Sequence, residues 1–131
     1  MKKLSKELPL TILIVEDNLI NQKLLIDILA MQGYKCDASS SGFEALKAVE
    51  KKKYDLILMD IQMPGLSGEE TMKQVREFLG DKSPKIIAVT AYAMDEDREK
   101  FISHGMDGYL SKPFRVTELI DEIIRVIKEN K

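Results

Sequence analysis

A single α/β domain on a parallel five-stranded sheet, with helices on both faces, is what this sequence predicts, and three observations predict it. Short apolar runs of strand length alternate with stretches of helical period along the 131 residues, the pattern of repeated βα units. Three of the runs, at about 11–15, 55–60 and 85–90, are almost continuously apolar, as strands covered on both faces should be. A fourth, Tyr34-Lys35-Cys36-Asp37-Ala38, is more polar and suits an edge. With right-handed crossovers, these properties favour the strand order 2-1-3-4-5.

The elements can be justified in chain order. Residues 1–10 read as a short N-terminal arm and 11–131 as the domain itself. The first strand, Thr11-Ile12-Leu13-Ile14-Val15, ends on Glu16-Asp17. The first helix follows Asn18, carries Ile20, Leu24, Leu25, Ile28 and Leu29 on one face, and stops at Gly33. The second strand, 34–38, holds the single cysteine, Cys36, which reads as inert core. Ser41-x-x-Glu44 and Ser67-x-x-Glu70 are capping-box patterns that open the second and third helices. Lys51-Lys52-Lys53 is the solvated end of the second, where positive charge suits the helix dipole. Between them the strand at 55–60 ends on Asp60, and Gln62-Met63-Pro64-Gly65 follows at once. Met72, Val75 and Leu79 stripe the third helix. The fourth strand, 85–90, ends on Thr90. Asp95 then caps a short fourth helix carrying Phe101 and Ile102, which ends near Gly105. After a fifth strand at 107–111, Val116, Leu119, Ile120, Ile123, Ile124 and Ile127 give the last helix a wide buried face.

Composition excludes several classes. The 44% apolar content supports one soluble domain with a substantial core. A net charge of −2 offers no basic excess for a nucleic-acid polyanion. No apolar run is long enough to span a membrane, and the start Met1-Lys2-Lys3 is not followed by a signal-peptide core. A lone cysteine excludes an internal disulfide and fits the reducing cytoplasm, the expected location. Only about one turn follows the last helix, so no output domain is expected.

If the strands are parallel neighbours, Glu16, Asp17, Asp60, Thr90 and Lys112 meet at the carboxyl edge of the sheet, where open α/β folds place their sites. Singly, each has an ordinary explanation: a strand-ending acid caps the next helix, Thr90 is a β-branched strand residue, and Lys112 is a snorkelling surface lysine. Together the acids are harder to dismiss, because two unit charges about 4 Å apart repel by roughly 4 kcal/mol at an effective dielectric near 20. Lys112 offsets only one of three negative charges, which leaves a place for a divalent cation. All-oxygen donors suit Mg²⁺ or Mn²⁺, and the absence of a nearby His or Cys argues against zinc. A carboxylate beside such an ion can be a nucleophile toward a phosphoryl group, with an ammonium and a hydroxyl binding the other oxygens. Asp60, Lys112 and Thr90 supply those three groups. Pro113 beside Lys112 argues for a fixed turn. His104, the only histidine, falls late in the fourth helix, away from the acids, and reads as a surface or interface residue.

Val15-Glu16-Asp17-Asn18, Met59-Asp60-Ile61-Gln62-Met63-Pro64-Gly65, Val89-Thr90-Ala91 and Tyr109-Leu110-Ser111-Lys112-Pro113-Phe114 resemble the receiver domain of two-component response regulators, in order and spacing, from about residue 10 to residue 128. Asn18-Leu19-Ile20-Asn21-Gln22 adds a similarity to the receivers of hybrid histidine kinases. The resemblance implies a flavodoxin-like (βα)₅ fold in which Asp60 accepts a phosphoryl group from a phosphohistidine on a histidine kinase or phosphotransfer partner. It implies Mg²⁺ held by Asp17, Asp60 and the backbone carbonyl of Gln62, with Glu16 acting through water. It further implies that Thr90 and Lys112 bind phosphoryl oxygens, that Thr90 and Tyr109 form a switch pair, and that the Lys112–Pro113 bond is cis. The switching surface is then the fourth helix, fifth strand and fifth helix, which can also serve a phosphorylation-linked dimer. Gln62 and Tyr92 would flank the path of the hydrolytic water and set the phosphoryl lifetime. Such a domain catalyses its own phosphorylation and slow dephosphorylation without being a conventional turnover enzyme. Gly108 departs from the family pattern, in which many members carry a second acid there, but is not expected to touch a site residue.

Three other functions fit less well. An aspartyl-nucleophile phosphatase of the haloacid-dehalogenase kind resembles Asp-x-Asp at the first strand, whereas Asp60 follows the third and is followed by Gln62. A flavin or nucleotide module wants a hydroxyl- and glycine-rich loop after the first strand, where Glu16-Asp17 stands. A scaffold receiver that has lost phosphorylation would not need the whole set of residues, and the whole set is present.

Overall fold

Strands too apolar to face water on either side make the centre of the fold, seen in a computed structural model that describes residues 3–91 and 97–128. They are β1 (Ile12–Val15), β2 (Asp37–Ser39), β3 (Leu56–Asp60), β4 (Lys85–Thr90) and β5 (Gly108–Ser111). All pair in parallel in the order β2-β1-β3-β4-β5, as the hydrophobic pattern predicts. The helices are α1 (Leu4–Glu7), α2 (Leu19–Met31), α3 (Gly42–Lys51), α4 (Gly68–Leu79), α5 (Asp97–Ser103) and α6 (Val116–Lys128). Among the described residues no helix is long and apolar enough to cross a membrane.

Alternation along each strand sends side chains to two separate cores. Leu13, Val15, Ile57, Met59, Ile86 and Ala88 meet Ala45, Val49, Met72, Val75 and Phe101 from α3, α4 and α5. Ile12, Ile14, Leu56, Leu58, Ile87 and Val89 meet Leu25, Leu29, Leu119, Ile123 and Val126 from α2 and α6. Each large side chain so buried contributes about 1.5–3 kcal/mol. The register carries the ends of β1, β3 and β4 to one edge: Val15 pairs with Met59, Asp60 with Val89, and Thr90 with Ser111.

Several local details differ from the sequence reading. The second strand covers 37–39 rather than 34–38. Tyr34 lies before it as a buried residue whose hydroxyl donates to Leu8 O (2.6 Å), and Asp37 is held by the Tyr54 hydroxyl (2.6 Å) and Lys52 (2.9 Å). Cys36 therefore precedes the strand, half-buried, and burial pushes its thiol up to about 12. Part of the N-terminal arm is the helical turn α1, tied down where Ser5 N donates to Gln32 O (3.0 Å). Asn18 does cap α2, accepting from the N–H groups of Ile20 and Asn21. Only Leu25 and Leu29 of that helix's expected face are buried, however, while Ile20 and Leu24 are exposed. Ser67 and Glu70 form the full reciprocal box, whereas Ser41 caps Glu44 N and the Glu44 carboxylate accepts from Ser40 N instead. The buried face of α6 includes Glu122 and Val126, while Val116 is exposed. Asp95 lies outside the described residues.

Candidate phosphoacceptor site

β1 and β3 are adjacent, so the residues that follow their apolar runs converge. Glu16, Asp17 and Asp60 offer carboxylate oxygens that all lie within 4.8 Å of one another. Glu16 is 1% exposed and Asp60 7%, while Asp17 faces solvent. Glu16 is fixed from several directions. Its N–H donates to Ser39 O (3.0 Å), its carbonyl accepts from the Gln22 side-chain amide (3.0 Å), and its Oε2 accepts from Asn18 N (3.1 Å). Asp60 Oδ1 accepts from Gln62 N (3.2 Å), so the turn after β3 grips the carboxylate it presents.

Lys112 reaches this edge from the end of β5. Its backbone N–H donates to Thr90 O (2.8 Å), and its Nζ lies 2.6 Å from Glu16 Oε1, a contact spanning 96 positions of sequence. Sequence reasoning aims Lys112 at phosphoryl oxygens, and here its ammonium rests on Glu16. The Lys112–Pro113 peptide is cis. Thr90 is fully buried at the end of β4. Tyr109 is buried too, its ring stacked on Phe101 with centroids 5.7 Å apart. Tyr92 lies outside the described residues. His104 stands apart from the acids, its Nδ1 2.6 Å from Glu69 Oε2.

Crowding of the two buried carboxyls sets their ionisation. Burial pushes the Asp60 carboxyl up, and the hydrogen bond with Glu16 and its negative charge push it further, to about 7. The Lys112 charge and the Gln62 N–H pull the other way without prevailing. Burial raises Glu16 as well, but hydrogen bonds with Lys112, Asp60 and Asn18 N–H more than offset it, holding that carboxyl below its ordinary value. Below about pH 7 the pair therefore holds a proton on the Asp60 side, with the Glu16 carboxylate facing Lys112. A divalent cation could take that proton's place between the oxygens. The donors are all carboxylate, and two are held by backbone hydrogen bonds, so they fit a small hard cation.

Sequence reasoning missed two supports of this site. The Gln22 amide is one, an ordinary polar residue in a helix until its distance to Glu16 O is known. Gly68 is the other. A Cβ there would stand 2.2 Å from Asp60 O and 2.8 Å from Ile61 Cα, so α4 can begin this close to the site only with glycine. The signal was present, since glycine in a first helical turn is a poor helix former that needs a reason. Gly68→Ala is expected to destabilise the protein by about 2 kcal/mol or more in urea titration, because backbone rather than a flexible side chain must give way. A change below about 0.5 kcal/mol would show that the contact relaxes freely.

Comparison with known proteins decides the family. The response regulator receiver domain profile matches residues 12–124. The chain belongs to the response regulator receiver family. This receiver is 40% identical over 138 residues to hybrid signal transduction histidine kinase I of Dictyostelium discoideum, covering 97% of this chain and 8% of that kinase. It is 40% identical over 116 residues to the polar-differentiation response regulator DivK of Brucella anthropi, covering 88% of this chain and 94% of DivK. In structure it is similar to the receiver domain of a sensor histidine kinase from Pseudomonas aeruginosa, at a TM-score of 0.81 and 37% identity over 90% of this chain and 97% of that one. That receiver was crystallised with a magnesium ion coordinated in its active-site cleft. Receivers act in two-component signalling, with histidine kinases and phosphotransfer proteins as their partners.

Proposed function

We propose that this receiver is a phosphoacceptor switch that takes a phosphoryl group onto Asp60 from a phosphohistidine of a histidine kinase or phosphotransfer protein. The observation that carries this reading is the convergence of Glu16, Asp17 and Asp60 within 4.8 Å at the sheet edge, with the Lys112 ammonium beside them. In the transfer, an Asp60 Oδ attacks phosphorus, the P–N bond to the donor imidazole breaks, and the imidazole leaves with the bond's electron pair. Asp17, Asp60 and the Gln62 carbonyl are the candidate Mg²⁺ ligands, with Glu16 acting through water, and Mn²⁺ suits the same donors. Bound there, the ion supplies positive charge that offsets the negative charge of the transferring group. Lys112 would move from Glu16 toward a phosphoryl oxygen, and the Thr90 hydroxyl would donate to another.

Partner docking has physical support beside the site. A groove of about 520 Å³ runs between α2 and the turn after β5, lined by Leu24, Leu25, Ile28, Pro113, Phe114 and Val116. Leu24 in its lining is exposed, as are Leu19 and Ile20 earlier on the same helix, an apolar surface that suits a partner's helical face. Thr90 and Tyr109 are proposed to carry the signal to α5, β5 and α6, the surface on which a phosphorylation-linked dimer could form. Gln62 and Tyr92 are proposed to govern how long the phosphoryl group lasts. Neither is an acid able to serve as general base.

Incubation with Mg²⁺ and acetyl phosphate tests the reading. Wild type should gain one phosphoryl group by intact mass, and Asp60→Asn should gain none. Labelling of Asp60→Asn at the wild-type rate would move the site elsewhere.

A further inference from the structure

β5 is the last strand of its sheet, and an open edge with unpaired backbone groups must be managed. At Tyr109 the management is ionic. Tyr109 N donates to Glu122 Oε2 (2.8 Å), and Arg98 Nη1 donates to Tyr109 O (3.4 Å). Arg98 Nη2 in turn lies 3.3 Å from Glu122 Oε2, so a pair joining α5 to α6 occupies both backbone groups that Tyr109 turns away from β4. We propose that the Arg98–Glu122 pair is a clasp that closes the β5 edge and holds α5 against Tyr109, favouring the arrangement in which the Tyr109 ring is buried. Its consequence for switching rests on the phosphoacceptor reading above.

Three features support a clasp over an incidental ion pair. First, α5 grips Tyr109 twice, by Arg98 on its backbone and by Phe101, one turn on, stacked against its ring. Second, the two halves differ in firmness. Glu122 is buried and tightly held by Arg125 Nε (2.9 Å) and Nη2 (3.0 Å), whereas Arg98 is half-exposed and at longer range. Withdrawal of α5 would leave Glu122 still paired, so no buried charge is stranded and release is easy. Third, the space is provided by Gly108, whose Cβ would stand 2.8 Å from Glu122 Oε2 and 2.7 Å from Val126 Cγ2. The residue that departs from the family's acidic pattern is thus the one that admits the Glu122 carboxylate to the edge.

The test uses Arg98→Ala, with Glu122→Gln as a second variant that keeps the shape and the Tyr109 acceptor but removes the charge. In the unphosphorylated protein, Tyr109 amide hydrogen exchange should quicken about two- to five-fold in Arg98→Ala, the effect expected for loss of one half-exposed ion pair, and at least as much in Glu122→Gln, which loses the Arg125 pair as well. The Tyr109 ring signals should shift toward a solvent-exposed position in both, with the melting temperature nearly unchanged in Arg98→Ala and lowered in Glu122→Gln, which also breaks the buried pair with Arg125. Labelling by acetyl phosphate should slow by a similar factor. Wild-type exchange and ring signals in Arg98→Ala would overturn the clasp, as would altered exchange with an unaltered ring. If wild type itself takes no label, the phosphoacceptor reading fails, and exchange and ring signals still decide the clasp.

Discussion

With metal removed by a chelator, Asp60→Asn should unfold at a higher urea concentration than wild type at pH 8 and at nearly the same concentration at pH 4. The reason is the shared proton. The Asp60 carboxyl is pushed up to about 7 by burial and by Glu16, whereas an unfolded aspartate titrates near ~3.9. Between those values the folded chain holds a proton that the unfolded chain has released. Stability present below pH ~4 is therefore lost as the pH rises, and the loss is complete above about 7. Asparagine donates an N–H toward Glu16 where the protonated aspartate donates O–H, and it never ionises. Each tenfold difference in proton affinity between folded and unfolded chains is worth ~1.4 kcal/mol. Because two carboxyls hold the proton between them, only part of that difference belongs to Asp60, and the advantage of the variant at pH 8 should be about 2 kcal/mol. An advantage of equal size at both pH values would mean that crowding of charge is not its source.

Asp17→Asn should reduce acetyl phosphate labelling by about 100-fold or more while leaving the metal-free fold intact. Asp17 is exposed, so its replacement disturbs no core, and metal-free unfolding should change by less than about 0.5 kcal/mol. What it removes is one of three negative charges that would hold the cation. Removing a preorganised charge partner of a transition state typically lowers the rate by about 10²–10³. Wild type should be stabilised by millimolar Mg²⁺ through binding linkage, by about 2.7 kcal/mol at a hundred times the dissociation constant. Asp17→Asn should lose most of that gain. Thermal melts with and without Mg²⁺, set beside labelling time courses, check both parts. Undiminished Mg²⁺ stabilisation in the variant would place the ion away from Asp17.

The sheet was legible because β1, β3 and β4 are apolar on both faces, which leaves few alternatives to a covered parallel strand. β2 was misplaced by about two residues for a physical reason. An edge strand carries little hydrophobic signal, and the tyrosine that seemed to start it is buried against the N-terminal segment instead. The acidic cluster could be found from strand ends alone, since topology converts chain position into proximity. Its internal arrangement could not. That Lys112 rests on Glu16, 96 positions away, and that burial and Glu16 push the Asp60 carboxyl up, depend on contacts between distant parts of the sequence. Glu122 was hidden because a charged residue on a buried helical face contradicts the pattern used to find that face, and two of its partners, Tyr109 and Arg98, lie on other elements. Gly68 and Gly108 matter for the atoms they lack, which no periodicity reports.

The most direct test of the central claim is chemical mapping of the phosphoryl group on wild type after phosphotransfer in Mg²⁺. An aspartyl phosphate is an acyl phosphate, and borohydride reduces its carbonyl, releasing phosphate and leaving homoserine in place of aspartate. Proteolysis and mass sequencing should then find homoserine at position 60 in the peptide that continues Ile61-Gln62-Met63. Homoserine at position 17, a phosphate retained on a hydroxyl or imidazole, or no label in protein that binds Mg²⁺ would contradict it.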